Sequence, residues 1–381
     1  MRIDLTNGTI CHGDSLEVLK SFPDNSIDSV VTDPPYGLAF MGKKWDYDVP
    51  AVELWKEVLR VLKPGGHALI ACGTRTQHRM VCNIEDAGFE IRDVISWVYG
   101  SGFPKSMDIS KQIDKIQGNE RDIIGISKNG AGNKQGYLPS DRTPQAGVFG
   151  GDGKVYVLTR GSSPYEGWGT ALKPAVEFFT LVRKPISEKN IAENVLKWGT
   201  GGINIDGCRV GNEERTQYSG KHSNGGVYNG FPQHNAHYET VLGRFPANFI
   251  HDGSDEVTAL FPETKSVGHF NSTVNMKGHT LYEGGFNDFK QVDRRLEDQG
   301  SAARFFYCAK ASPSERNEGL EGMPLGEPPA SARSKPAEGR KSALGEPRAN
   351  HHPTVKPLAL MQYLIRLITP PDGVVLDCFA G

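Results

Sequence analysis

Residues 27–36, IDSVVTDPPY, constrain the fold more than any other stretch of this 381-residue chain. Ile27 to Thr32 reads as a buried strand, and it ends on an acid followed by two prolines. Each proline fixes φ at about −65° and lacks an N–H, so the segment cannot continue a sheet ladder and its carbonyls are left to face outward. Asp33 and Tyr36 are thereby held in fixed positions on a stiff turn at a strand end. By composition alone, the tetrapeptide Asp33-Pro34-Pro35-Tyr36 arises on the order of 10⁻³ times in a chain of this length. A rigid turn accounts for its geometry but not for its choice of residues.

The surrounding pattern alternates strands with helices. Residues 2–12 alternate about Asn7-Gly8, which predicts a β-hairpin. A short helix is expected over Ser15 to Phe22. Val49 to Leu62 follows as an amphipathic helix, with Val52, Trp55, Val58, Leu59 and Leu62 on one side and Pro64-Gly65-Gly66 as its stop. His67 to Cys72, Ile91 to Tyr99 and Ala175 to Arg183 read as further strands, and Gln77 to Ala87 as a helix. Near the end, Leu358 to Ile368 is expected to be a helix opened by Pro357 and closed by Pro370-Pro371, with a strand from Gly373 to Leu376 after it. This order predicts an α/β fold with a largely parallel, doubly wound sheet, in which ligands sit beyond the carboxyl ends of strands. Asp33 lies at such an end.

Composition narrows the class. With 37% hydrophobic and 23% charged residues the chain suits a soluble globular protein of two or three domains. Its net charge of −2 means that any grip on a polyanion comes from a local patch. Six cysteines without a C-x-x-C pair argue for idle thiols in a reducing compartment, and against a zinc module or a disulfide framework. No metal is expected, and His351-His352 reads as ordinary loop histidines. The N-terminus lacks a basic region followed by an apolar run, and no apolar stretch reaches 18 residues, so a cytoplasmic protein without membrane association is expected. Residues 127–153, 211–238 and 318–350 are rich in Gly, Ser, Asn or Pro and read as loops or linkers. Trp168 is expected to be a buried anchor.

A second constellation closes the chain: the strand VVLD, then Cys378-Phe379-Ala380-Gly381. An acid at a strand end before a small-residue loop lets backbone approach a ligand while the carboxylate takes its hydrogen bonds. Alone, such a turn is common in α/β proteins.

Taken together and in this order, the two constellations resemble the DNA methylases of the N6-adenine and N4-cytosine amino-methyltransferase family. The likeness extends through GTICHGDSLEVLKSFPDNSIDSVVTDPPYG, LKPGGHALI, KPAVEFFTLVRKP and HPTVKPLALMQYLIRLITPPDGVVLDCFAG. It implies a Rossmann-like S-adenosylmethionine-dependent methyltransferase sheet, circularly permuted, with an inserted target-recognition region. It further implies S-adenosylmethionine as cofactor, with Asp377, Phe379 and Gly381 on its methionine side, Thr354 and Lys356 near its carboxylate and Asp14 near its adenine. Lys356 reads equally as a solvated surface lysine. Asp33 and the Pro34 carbonyl would accept the two N–H bonds of an exocyclic amino group, Pro35 would keep the turn rigid, and Tyr36 would stack on a base flipped out of double-stranded DNA.

On this reading residues 1–118 form the catalytic half, 119–167 an insert that could face DNA, and 168–187 a catalytic strand segment. Residues 188–350 form a target-recognition region with disordered loops, and 351–381 the start of the cofactor half. Arg294, Arg295, Arg304 and Lys310 are candidate DNA contacts, as are Lys128, Lys134, Arg142, Lys154 and Arg160 of the insert; a charge-mixed solvated surface is the alternative for each group. Adenine N6 is preferred as acceptor because the tetrapeptide begins with Asp. Cytosine N4, an RNA or protein acceptor, and a non-catalytic DNA-binding remnant are the alternatives. A homodimer and a restriction partner are both left open.

Family members usually continue past the glycine loop with a Gly-Ser-Gly-Thr-like turn, a helix and a strand ending in an acid. From this, the family activity is expected to belong to a longer parent chain, with the 381-residue form binding cofactor weakly or not at all. A gap is also expected in the sheet between its first strand and the VVLD strand.

Overall fold

Ile27 to Thr32 is buried at all six positions, including Asp28, Ser29 and Thr32, and the rest of the sheet is built outward from it. The computed structural model describes residues 2–38, 47–102, 106–126, 157–218, 238–265, 298–309, 315 and 355–380. The chain forms two compact units. One comprises Met1–Gly100, Val176–Cys308 and Tyr363–Gly381, the other Ser101–Ala175 and Ala309–Gln362.

In chain order the elements begin with β1 (Arg2–Leu5), β2 (Gly8–Cys11), α1 (Ser15–Leu19), β3 (Ile27–Thr32), α2 (Val52–Val61), β4 (Leu62–Gly73), α3 (Gln77–Asp86) and β5 (Glu90–Val98). Next come α4 (Ile109–Gln117), β6 (Asp122–Ile126), β7 (Val157–Arg160), β8 (Val176–Arg183), α5 (Ile191–Trp198), β9 (Val210–Tyr218) and β10 (Tyr238–Arg244). The last are β11 (Phe249–His251), α6 (Asp255–Thr258), β12 (Glu263–Lys265), β13 (Gln299–Ser301), β14 (Tyr307–Cys308), α7 (Leu358–Ile368) and β15 (Val375–Leu376).

Seven strands of the first unit form one sheet in the order β14-β11-β5-β8-β4-β3-β15. Every pairing is parallel except the two made by β8, which runs antiparallel to both β4 and β5. The sheet is therefore mixed at its centre. This reversal puts the N-terminal end of β8 beside the carboxyl ends of its neighbours. The opening hairpin pairs only with itself, and Leu5 faces Gly8 across it, so Thr6-Asn7 forms the turn and Gly8 begins the second strand instead of sharing the turn with Asn7.

On one face α2 and α3 cover the sheet. Trp55, Val58 and Val61 of α2 and Met80 and Ile84 of α3 are fully buried with Val30, Leu62, Ala68 and Ile70 of the strands. Each such side chain contributes roughly 1.5–3 kcal/mol when taken from water. Helix α2 ends at Val61, and Pro64-Gly65-Gly66 lies inside β4 as a bulge: Ile27 pairs with Leu62, yet Ser29 pairs with His67. Buried Asn194 of α5 donates to the Pro64 carbonyl at 2.8 Å and Thr200 donates to the same oxygen at 2.6 Å, which holds the bulge in place.

Asp28 secures the edge of the sheet. Its carboxylate takes Lys63 at 2.6 Å and the Val374 amide at 2.8 Å, while the Asp28 amide donates to the Val374 carbonyl at 3.0 Å. Val375 then pairs with Ser29 and Leu376 with Val30. The expected gap beside the VVLD strand is thus closed, because β3 is the first strand of the sheet and accepts β15 directly. Residues 211–218, expected to be loop, belong to β9, whose backbone runs antiparallel to β10 in a register that sets Thr216 opposite Thr240 and Glu214 opposite Leu242. The segments 127–153, 219–237 and 318–350 lie outside the described residues.

In the second unit, the Arg121 side chain is only 8% exposed and donates to Asp114, to Glu166 at 2.9 Å and to Ser110 at 2.9 Å, joining α4 to the paired strands β6 and β7. Trp168 is 62% exposed, not buried, and its ring packs T-shaped against that of Tyr165 at a centroid distance of 5.5 Å. Among the described residues no helix is long and apolar enough to cross a membrane.

His67 is buried in β4, and burial, reinforced by Arg183 and Arg92, lowers its pKa from the ordinary 6.5 to about 4. Its folded value lies below its unfolded one, so its contribution to stability is complete above pH 6.5 and is lost as pH falls toward 4. A depression of this size corresponds to an upper figure of about 3 kcal/mol. Denaturant unfolding at several pH values should show this loss in the natural protein and a flatter profile between pH 6.5 and 4 in His67→Asn.

Candidate functional site

The two motifs found in the sequence meet at the carboxyl ends of adjacent parallel strands. Because Leu376 pairs with Val30, Asp377 leaves β15 one residue before the end of β3, and Asp33 follows just beyond it. The hydroxyl of buried Thr32 donates to Asp377 Oδ1 at 2.6 Å, and the Phe379 amide donates to the same oxygen at 3.0 Å. One carboxylate oxygen thus fixes both the strand end and the turn after it. Asp14 caps α1, its Oδ1 accepting from the amides of Leu16 and Glu17, and the next residue, Ser15, donates to the Cys378 carbonyl at 2.7 Å. The α1 N-terminus and the glycine loop are therefore neighbours. Phe379 is half-buried, its ring 6.5 Å from that of Trp55.

The tetrapeptide is locked from several sides. Pro34 is buried, while Asp33, Pro35 and Tyr36 are half-buried. The Tyr36 hydroxyl donates to Asp33 Oδ1 at 2.7 Å and lies 3.3 Å from Glu177 Oε2, and Thr76 donates to the Tyr36 carbonyl at 2.5 Å. Gly37 turns the chain out with φ of +67°, where any Cβ would also meet the Asp48–Val49 backbone. Gly73, the last residue of β4, leaves room for the Tyr36 ring: a Cβ there would stand 3.1 Å from its Cδ2. Burial, together with Asp33 and Glu177, pushes the Tyr36 phenol well above its ordinary pKa, so Tyr36 stays a donor at neutral pH. Burial likewise raises the Cys72 thiol to about 11 and drives the Cys378 thiol upward, which leaves both un-ionised.

These features suit a cationic cofactor. Asp14 and Asp377 are exposed, and among the described residues neither forms an ion pair. Two carboxylates and an aromatic face at one sheet edge favour an ammonium or sulfonium ligand by attraction to charge and to the ring face. Among the described residues no cluster of His, Cys, Asp or Glu could hold a metal ion.

The structure thus brings together Asp14, Asp33, Pro34, Pro35, Tyr36, Asp377 and Phe379. Lys356 is half-buried and belongs to the second compact unit. Thr354, Gly381, Arg294, Arg295 and Lys310 lie outside the described residues, as do Lys128, Lys134, Arg142 and Lys154. Arg160 is exposed at the end of β7. Arg304 donates within the fold, to Asp298 at 2.8 Å, Thr264 at 2.9 Å and the Ser301 carbonyl at 2.8 Å, and its guanidinium covers Phe305 at 4.5 Å. Asp298 also takes Arg244 and Arg215, and these partners, Arg304 first, hold its carboxyl well below the usual range.

Sequence reasoning passed over Thr32, Ser15, Thr76, Tyr99 and Glu177. Glu177 carried a signal, since it is the single charge in the run AVEFFTLV, which is apolar but for Thr180.

Comparison with known proteins adds the following. Type II methyltransferase M.HpaI of Haemophilus parainfluenzae is 32% identical over 118 residues, which are 28% of this chain and 36% of that protein. M.PvuII of Proteus hauseri is 23% identical over 284 residues, 69% of this chain and 76% of that protein. The DNA adenine methyltransferase YhdJ of Escherichia coli K12 is 34% identical over 106 residues, 24% of this chain and 34% of that protein. The chain thus spans about a third of the length of two of these relatives. The solved PvuII DNA methyltransferase, described as cytosine-N4-specific, aligns over 98% of this chain and 74% of its own with 14% identity and a TM-score of 0.38. The sequence model of the N6/N4 DNA methylases matches residues 27–381, from the first residue of β3 through the glycine loop, and the chain belongs to that family.

Proposed function

We propose that this protein transfers a methyl group from S-adenosylmethionine to the exocyclic N6 amino group of adenine in double-stranded DNA, with the target nucleotide flipped out of the helix. One observation carries the reading. The Asp33-Pro34-Pro35-Tyr36 turn and the Asp377 loop end neighbouring parallel strands, and Thr32 ties one to the other.

S-adenosylmethionine, when bound, supplies a methyl group activated on a sulfonium. Asp377 and Phe379 would hold its methionine side and Asp14 its adenine. The acceptor side is the work of the tetrapeptide. An aromatic amino nitrogen is a poor nucleophile because its lone pair is delocalised into the ring. Asp33 and the Pro34 carbonyl can accept its two N–H bonds and turn the lone pair out of conjugation. Asp33 Oδ1 already accepts from Tyr36, but a carboxylate has about four acceptor positions, so the amino group can still be served. Positive charge then grows on nitrogen beside a fixed carboxylate, in a place that needs no rearrangement during the reaction. The Tyr36 ring would stack on the base and offset part of the few kcal/mol spent on unstacking it.

The leading Asp of the tetrapeptide supports adenine. Cytosine N4 is the second reading. Nucleoside mass spectrometry of treated DNA should find N6-methyladenine; N4-methylcytosine alone replaces the first reading with the second, and DNA binding without transfer replaces both with a non-catalytic role.

Asp33→Asn should slow methyl transfer by at least about 100-fold with DNA affinity little changed, because it removes charge only where charge develops. Tyr36→Ala should weaken capture of the flipped base by roughly 1–3 kcal/mol. A 2-aminopurine placed at the target position reads this as a smaller change in fluorescence on binding.

A further inference from the structure

Glu177 is buried at the start of β8, 9% exposed, and pairs with Gly73 on one side and Trp97 on the other. Because β8 runs against its neighbours, this first turn of strand arrives at the carboxyl ends of β4 and β5, beside the tetrapeptide. Two phenols meet its carboxylate. Tyr99 donates to Oε1 at 3.3 Å, and the Tyr36 hydroxyl, 3.3 Å from Oε2, lies 2.7 Å from Asp33 Oδ1. Tyr36 has a single hydroxyl hydrogen, so it is shared between two acceptors and its direction is set by both. The nearer oxygen, on Asp33, takes the stronger share.

A purely structural role accounts poorly for this residue. Apart from Thr180 and the terminal Arg183 the strand is apolar, and a leucine at its start would fill the same place without the cost of taking a carboxylate out of water. What a carboxylate provides here is an anchor behind Tyr36. We propose that Glu177 is a positioning residue for methyl transfer: clamped by Tyr99, it holds the Tyr36 hydroxyl in line with Asp33 and so fixes both the stacking ring and the accepting carboxylate. This rests on the proposed methyltransferase function and extends it to a residue outside the tetrapeptide.

The test compares Glu177→Ala and Glu177→Gln with the unaltered full chain in steady-state methyl transfer to DNA. Misplacing reacting groups by about 1 Å costs roughly 100-fold, so Glu177→Ala should lose about 10- to 100-fold in kcat with KM for DNA and for S-adenosylmethionine within about twofold. Glu177→Gln keeps an acceptor for Tyr99 and gains a donor for the Tyr36 oxygen, and should recover to within about threefold of the unaltered rate. An unchanged kcat in a Glu177→Ala protein that circular dichroism shows to be folded overturns the proposal. Should Glu177→Ala fail to fold, Tyr99→Phe releases the same clamp without opening a cavity, and an unchanged kcat there is equally fatal. Crystal structures of the unaltered and variant proteins decide the point without turnover: the Tyr36 ring and the Asp33 carboxylate should shift together when Glu177 or the Tyr99 hydroxyl is gone, and unaltered positions of both overturn the proposal. Absence of methyl transfer by the unaltered protein would instead count against the proposed function, so the two failures stay apart.

Discussion

The hydrogen bond from Thr32 to Asp377 spans 345 positions of sequence and is the contact on which the site depends. Thr32 is wholly buried and sits where β3 ends, so its hydroxyl has a fixed origin. Asp377 Oδ1 then takes the Phe379 amide as well, and the glycine loop inherits that rigidity. Behind this contact stands Asp28, whose carboxylate binds both Lys63 and the Val374 amide and keeps β15 in register with β3. A slip of one residue would reverse the face of every side chain on β15 and carry Asp377 away from Thr32. Buried charge is an expensive way to pin an edge strand of two residues, and it is tolerated because the ion pair and the backbone amide together satisfy the carboxylate.

Much of this was legible in the sequence, for identifiable reasons. Strand β3 and helix α7 fall where the pattern put them, because apolar periodicity and proline boundaries coincide there. The tetrapeptide and the VVLD loop were found as separate motifs, and the α/β alternation implied that strand ends would gather ligand-facing groups. Three things were not legible. Strand direction leaves no mark on a buried apolar run, so the reversal of β8 could not be read from AVEFFTLV. The bulge at Pro64-Gly65-Gly66 mimics a helix stop followed by a loop, since local residue choice is the same in both cases. Residues 211–218 lack apolar alternation, and only pairing with β10 makes them a strand.

The reversed strand has a chemical consequence. In an all-parallel sheet every strand reaches the ligand edge with its carboxyl end, and a residue at a strand start lies on the far side. Here β8 delivers its first residues, Glu177 among them, to the ligand edge from between β4 and β5. The tetrapeptide on β3 is thereby faced by a side chain two strands away. Gly73 at the end of the intervening β4 leaves the space through which the Tyr36 ring reaches it. Small residue, reversed strand and buried acid thus form one arrangement, and each has a purpose only with the other two.

Asp14, Asp33, Asp377 and Glu177 gather at one edge of the first unit, with Tyr36, Tyr99, Thr32 and backbone amides among their hydrogen-bond donors. Neutral donors orient a carboxylate without cancelling its charge, whereas a lysine or arginine would do both. An edge of this kind attracts a cation and stabilises positive charge that appears during a reaction. On the proposed mechanism both needs arise together, first in the sulfonium donor and then in the methylated amino nitrogen. The charge lost by one centre reappears on the other within the same cluster of acids, so the field that binds the donor also serves the acceptor.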